Sequence, residues 1–348
     1  DPERDAAAAR RTLADLGFEV TGEGEAMTVA PPPWRGDIDG EADLIEEIVR
    51  INGFDKIEAV SMSRPHVIGR PALSPTQRRV RAARRALAHR GMVEALTFSF
   101  MPADLAARFG GDDPSLRLVN PISSDLATMR PSILPNLLAA ADRNLNHSVG
   151  DIALFEVGPQ YADDSPEGQA TVAAGLRVGD TGPRDWSASS RPADAFDAKA
   201  DALALLDAMG APTGNLQVSM DAPDWYHPGR SGSLRLGPNV IAWFGEIHPA
   251  VLADLDIKAG AVGCEVFLDR VPLPKAKRGG HGKAMLPPSP FQPVTRDFAF
   301  IVDRAVTAES LLRAAKGADK ALITAVGLFD EYQGKGIADD KKSLAIWV

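Results

Sequence analysis

Cysteine occurs once in 348 residues, at Cys264, so no internal disulfide framework is available and the chain reads as a protein of a reducing compartment. Long apolar runs are missing too. No stretch approaches the roughly 20 residues of a membrane-spanning helix, and the opening DPERDAAAAR has neither the apolar core nor the cleavage site of a secretory leader. The expected location is cytoplasmic, with no membrane partner. Positive charge is in deficit: 38 Lys and Arg against 47 Asp and Glu give a formal net charge of −9. That balance excludes wrapping nucleic acid by bulk electrostatics and leaves only local basic patches. Familiar catalytic signatures are also missing. GRSGS at 229 to 233 lacks the last glycine of a nucleophile elbow, and no glycine-rich loop ends in Gly-Lys-Ser/Thr. The six histidines (66, 89, 147, 227, 248, 281) never pair at metal-ligand spacing.

The length predicts two or three domains, and 45% hydrophobic with 24% charged residues is globular. Residues 1–66 read as a helix (3–16), strands (18–20 and 26–30), an acidic turn and a helix (43–52), a compact α+β module. Residues 67–275 alternate helices with runs such as VEALTFSF, GDIALFEVG, ATVAAGLRV, SGSLRLG and NVIAWFGEI, the period of an antiparallel sheet with one covered face. The Pro-, Gly- and Lys-rich stretch VPLPKAKRGGHGKAMLPPSPFQP predicts a linker, set at 276–290. Residues 291–348 read strand, helix after Thr307, strand, Gly-rich hairpin, strand, which is most of a split βαβ unit without its last helix and strand. An Asp-Pro start without methionine and a strand-like end, KKSLAIWV, predict that both ends are cut from a longer protein.

The densest chemistry lies in PPPWRGDIDGEADLIEEIVRINGF, residues 31 to 54, with six acidic residues between positions 37 and 47. If Leu44, Ile45, Ile48 and Ile51 form the buried stripe, Asp43, Glu46 and Glu47 share the other face at i, i+3 and i+4. Asp37 can fold back over the helix start through Gly36 and Gly40. Four hard oxygen donors suit Mg²⁺. The competing reading is that acids near a helix N-terminus complement its dipole, and pattern alone favours it. Glu46 and Glu47 weigh against it, because they lie past the first turn and repel each other.

PPPWRGDIDGEADLIEEIVRINGFDKI resembles the magnesium-binding B-five module of the bacterial phenylalanyl-tRNA synthetase beta subunit family, with Trp-Arg, the aspartate two residues on and Asp-Leu-Ile-Glu-Glu at the family's spacing. LVNPISSDLATMRPSILPNLLAAADRNLNHSVGDIALFEVG and YHPGRSGSLRLGPNVIAWFGEIHP are similar to that subunit's synthetase-like core. FQPVTRDFAFIVD and LFDEYQGKGIADDKKSLAI resemble its ferredoxin-fold anticodon-binding domain. The resemblance implies a multidomain α+β fold: a small winged-helix-like module, an antiparallel-sheet class II synthetase-like core and an incomplete ferredoxin-like C-terminal domain. It implies Mg²⁺ on Asp37, Asp43, Glu46 and Glu47, leaving Asp39 and Glu41 as solvated acids. It also implies an alpha-subunit partner in an alpha2-beta2 heterotetramer, docking of phenylalanine tRNA, and editing in an N-terminal region outside these residues.

An adenylate-forming site of the class II kind needs an arginine on the α-phosphate and a glycine-rich strand with a second arginine. ALFEVGPQY has Pro159 and Gln160 where the first belongs, while Arg130 in TMRPS and Arg230 in HPGRSG each stand alone. The core therefore reads as noncatalytic, with aminoacylation on the alpha chain as the resemblance implies. A purely structural or RNA-binding paralogue is the alternative, and a ligase with unfamiliar active-site residues a further one. SPTQRRVRAARRALAHRG predicts a helix whose Arg78, Arg81, Arg84 and Arg85 are a solvated face, or else contact tRNA phosphate or an acidic surface of the alpha subunit, with the subunit interface favoured over RNA. Trp186 and Trp225 sit in polar loops, as interface residues or loop anchors. From Leu286 onward eight basic residues meet eight acidic ones, so RNA contact must be a patch. Arg296, Lys335, Lys341 and Lys342 are its candidates, with Phe298, Phe300 and Tyr332 as stacking surfaces; alternation favours Phe298 and Phe300 as core.

Overall fold

The computed structural model describes residues 2–22, 26–57, 59–62, 71–182, 185–187, 189–273 and 290–348. The chain divides into two compact units, Asp1–Pro71 and Ala72–Val348. Most of the expected linker, His66 and His281 lie outside the described residues.

In the first unit α1 (Pro2–Asp15) leads into a hairpin of β1 (Glu19–Thr21) and β2 (Thr28–Ala30), followed by α2 (Glu41–Asn52). Leu13 and Phe18 are buried at its centre. Helix α2 starts two residues before the sequence-based boundary, where the Asp43 side chain reaches back to cap its first turn. Its Oδ2 accepts from the backbone N–H of Gly40 at 2.9 Å and of Asp39 at 2.8 Å. Gly40 itself is extended, at φ −162°, a conformation open to any residue, so the tight turn expected of it is not what brings Asp37 near. Gly53, at φ 101°, does need glycine, and its N–H closes the helix on the Val49 carbonyl at 2.8 Å.

The second unit runs α3 (Pro75–His89), β3 (Val93–Glu94), β4 (Phe100–Met101), α4 (Ala103–Ala107), β5 (Thr128–Met129), α5 (Leu134–Asn146), β6 (Ile152–Tyr161) and β7 (Gln169–Val178). It continues through α6 (Ala195–Ala208), β8 (Gln217–Ser219), β9 (Tyr226–Leu236), β10 (Asn239–Ile247), α7 (Pro249–Asp254) and β11 (Ala261–Phe267). A seven-stranded sheet orders these strands β3-β6-β7-β11-β10-β9-β8, antiparallel except for the parallel β3–β6 edge. Both faces of this sheet are covered, which corrects the expectation of one. Helices α3 and α6 pack through Ala83, Leu87, Ala198, Ala202 and Leu205 against Phe155, Val157, Val262, Cys264 and Val266. On the other face α5 and α7 pack through Leu134, Leu138, Val251 and Leu252 against Ile152, Val172, Ala174, Leu176 and Phe267. Strand β11 is accordingly buried along its whole length, the pattern of a central strand between two helical layers. Asp201 of α6, itself buried, receives Arg90 at 2.5 Å and Arg177 at 2.7 Å, joining α3, β7 and α6.

The last segment forms β12 (Asp297–Asp303), α8 (Ala308–Ala318), β13 (Gly327–Tyr332) and β14 (Lys341–Trp347), in a sheet ordered β12-β14-β13. Thr307 is the N-cap of α8, its side chain accepting from the Ser310 N–H at 3.2 Å. Phe298 and Phe300 are exposed, against the expectation that alternation would bury them, while Leu344 and Ile346 of β14 fill the buried positions.

Candidate functional site

Glu47 points inward, the least expected feature of the acidic helix. Ile45 and Ile51 are exposed, whereas Glu47 is only 7% exposed, so the buried stripe runs through Leu44, Glu47 and Ile48. Burial of a carboxylate is tolerable here because two arginines reach it. Arg35 donates from Nη1 to Glu47 Oε2 at 3.0 Å, and Arg50 donates from Nη2 to the same oxygen at 2.7 Å. Arg35 also forks onto Asp37, with Nε 2.8 Å from Oδ1 and Nη2 2.7 Å from Oδ2. The Arg35 guanidinium beside them holds both carboxyls at about 2, below the ordinary 3.8 of Asp37 and 4.5 of Glu47, with Arg50 adding to the effect on Glu47.

The four acids expected to hold Mg²⁺, Asp37, Asp43, Glu46 and Glu47, are thus not gathered on one face. Asp43 caps the helix, Glu46 is exposed, and Asp37 and Glu47 already share a cation. Among the described residues no group of three acidic, histidine or cysteine side chains is arranged to hold a metal. The donor chemistry suits Mg²⁺, but this arrangement does not fit it.

In the large unit the sequence missed a buried polar cluster. Arg130, called alone on sequence grounds, is almost fully buried and paired with Glu156 of β6 at 2.8 Å. It also donates to the Pro159 carbonyl at 2.8 Å and to Thr97 at 3.0 Å. Arg230 is likewise engaged, with Glu246 at 2.6 Å. Beside the first pair, Glu265 of β11 accepts from Ser132 at 2.6 Å, Gln160 at 3.2 Å, Tyr226 at 3.2 Å and Trp225 Nε1 at 3.3 Å. Burial pushes the Glu265 carboxyl up, and those four donors pull the other way. Trp225 is therefore a loop anchor, its ring 5.8 Å from Phe109, while Trp186 is exposed. His227 and His248, 21 positions apart, bring their rings to 6.4 Å, but each Nδ1 accepts a backbone N–H, of Gly229 and Ala250 respectively.

The expected basic residues divide. Arg84 bridges to Glu94 at 2.7 Å, whereas Arg78, Arg81 and Arg85 are exposed along α3. Arg79, not singled out from sequence, ties α3 to the carbonyls of Leu268 and Pro272. Lys341 faces Asp303 and Lys342 lies 4.0 Å from Glu331, on opposite faces of β14. Arg296 bonds at the Val348 end of the β12–β14 pair, roughly 20 Å of strand from Lys341, and Lys335 stands in the exposed hairpin. The four do not converge. Arg313, Lys316 and Lys320 do: they line a cleft of about 490 Å³ between α8 and residues 214–217.

Comparison with known proteins gives three matches in chain order: "tRNA synthetase B5 domain" over residues 3–54, "Phenylalanyl tRNA synthetase beta chain CLM domain" over 61–268, and "Ferredoxin-fold anticodon binding domain" over 289–348. The phenylalanine-tRNA ligase beta subunit of Rhodospirillum rubrum is 54% identical over 337 residues, 97% of this chain and 42% of that protein. The beta subunits of Paramagnetospirillum magneticum and Mesorhizobium japonicum are 51% and 50% identical, with the same coverage of each chain. The chain spans about two fifths of the length of the curated relatives it matches. Among the described residues no helix is long and apolar enough to cross a membrane.

Proposed function

The chain belongs to the phenylalanyl tRNA synthetase beta chain family, and from that membership we propose that it is a noncatalytic part of a cytoplasmic phenylalanine-tRNA ligase. Its work is subunit assembly and tRNA docking, while ATP, phenylalanine and ester formation belong to an alpha chain. Residues 1–66, 67–275 and 291–348 serve as the B-five-type, synthetase-like and anticodon-binding domains of that assembly. The observation that carries the noncatalytic reading is the state of Arg130. An arginine that clamps a phosphate must present free N–H groups to a cleft, and here the guanidinium is buried, with Nε on the Pro159 carbonyl and Nη1 on Glu156 and Thr97.

Exposed Arg78, Arg81 and Arg85 on α3 offer the alpha chain an acid-complementary surface. The tRNA contacts proposed are Arg296, Lys335, Lys341 and Lys342, joined by Arg313 and Lys316 of α8 and Lys320 just beyond its end. Magnesium on Asp37, Asp43, Glu46 and Glu47 is part of the proposal on one condition: the four carboxylates must first be drawn together, a rearrangement assigned to contact with the alpha chain.

Purified alone, the chain is expected to show no phenylalanine-dependent pyrophosphate exchange, and co-expressed with an alpha subunit to enter a heterotetramer. Exchange by the isolated chain overturns the noncatalytic reading. Failure to assemble favours a paralogue without a ligase partner. Metal binding by wild type and Glu46→Ala/Glu47→Ala, with and without alpha subunit, tests the magnesium condition; an unchanged Mg²⁺ stoichiometry in the variant removes the site.

A further inference from the structure

A cavity of about 300 Å³ lies in the large unit, between the first turn of α6 and the β8–β9–β10 edge of the seven-stranded sheet. Phe196, Val218, Met220 and Phe244 supply its apolar wall. The size stands at the bottom of the roughly 300–1,000 Å³ range of small-molecule sites, which combine such walls with a few fixed polar groups. Lys199 of α6 also lines the cavity, half-buried, with its ammonium 5.9 Å from the centre of the Phe244 ring. Among the described residues no carboxylate lies within 4.0 Å of that ammonium. Burial lowers the Lys199 pKa, and Glu309 of α8 opposes this only through space. The other polar side chains around the cavity are engaged. Arg230 meets Glu246 through Nε at 2.6 Å. Asp194 accepts the N–H groups of Phe196 and Asp197 as the cap of α6 and faces Arg191 at 3.3 Å. Ser231 Oγ donates to the His227 carbonyl at 2.6 Å.

We propose that this cavity binds a small carboxylate with an apolar body, its anionic end on the Lys199 ammonium and its body against Phe196, Val218, Met220 and Phe244. The carboxylate supplies the counter-charge that the protein leaves out, through a charge-assisted hydrogen bond in partly desolvated surroundings. The apolar body follows from the same wall: a strongly hydrated anion such as phosphate would lose water against four apolar side chains with one unpaired cation to compensate. The site stands apart from the subunit assembly and tRNA docking proposed above, and neither depends on it.

The test titrates the 348-residue chain with octanoate and with octanamide, its uncharged counterpart, by calorimetry. Octanoate is expected to bind at least about tenfold more tightly, the effect of one hydrogen bond between charged groups. Lys199→Met keeps the apolar stem and removes the charge, so it should lower octanoate affinity to that of octanamide and leave octanamide unchanged; circular dichroism melts establish that it is folded. In wild type, saturating octanoate should also suppress acetylation of Lys199 by acetic anhydride, read by peptide mass spectrometry, and leave exposed Lys335 unaffected. No binding of either compound at millimolar concentration overturns the proposal, as does equal affinity for the two. Octanoate affinity unchanged in Lys199→Met overturns it as well. Should that variant fail to fold, acetylation decides: Lys199 labelled equally fast with and without octanoate overturns the site.

Discussion

Arg130 and Glu156 neutralise one another where water does not reach, their side chains 1% and 4% exposed. A buried pair of this kind adds little net stability, yet removing one member leaves an uncompensated charge. Arg130→Met is expected to lower unfolding stability by roughly 3 to 5 kcal/mol, and Arg130→Met/Glu156→Leu to recover most of it, read from urea midpoints. Glu265→Ala leaves four donors without their acceptor and should cost about 3 kcal/mol or more in the same assay. Asp37 and Glu47 set a pH dependence whose sign follows from their depressed pKa values. Folding holds these protons less tightly than the unfolded chain does, so the stabilisation is complete above the unfolded values of 3.8 and 4.5. It is lost as pH falls through that range toward about 2. Thermal melts should show the gap between wild type and Arg35→Gln shrinking over that acidic interval; a gap independent of pH contradicts the assignment.

At the scale of elements, α3 begins on a reciprocal cap, Ser74 Oγ accepting from the Gln77 N–H at 3.2 Å and Gln77 Oε1 from the Ser74 N–H at 2.9 Å. Ser74→Ala should lower stability by about 1 kcal/mol without changing tertiary structure, as urea unfolding and near-ultraviolet dichroism would record. Local signals of this kind were legible in the sequence, including the start of α8 at Thr307 and the order strand, helix, strand, strand around it. What periodicity could not supply was the number of faces covered, because whether a run is sheltered on both sides depends on helices elsewhere in the chain. Strand β11 is the example: AVGCEVF is buried at every position only because α6 and α5 sit on its two faces. The inward turn of Glu47 escaped for the same reason. Its partner Arg35 lies twelve positions upstream, and Glu265 meets Ser132 across 133 positions. The helix phase that grouped Asp43, Glu46 and Glu47 treated every isoleucine as buried and every carboxylate as outward, and the two arginines reverse that at one position.

For the molecule as a whole, a formal charge of −9 excludes a diffuse attractive field, so the proposed tRNA docking has to rest on a few well-placed cations. The α8 cleft gathers three of them, Arg313, Lys316 and Lys320, although Arg313 is already bridged to Glu309 at 2.9 Å. Lys341 and Lys342, by contrast, each face a carboxylate, so their charge is partly cancelled before any phosphate arrives. In the chain assembled with an alpha subunit, Lys316→Gln/Lys320→Gln is therefore expected to weaken tRNA binding more than Lys341→Gln/Lys342→Gln does. It should also flatten the dependence of log affinity on log salt by about 1 for each phosphate contact removed. Filter binding across a salt series separates the two surfaces. An equal loss from both pairs would mean that the β14 lysines release their acids on docking, and an unchanged slope in the α8 variant would remove that helix from the RNA path.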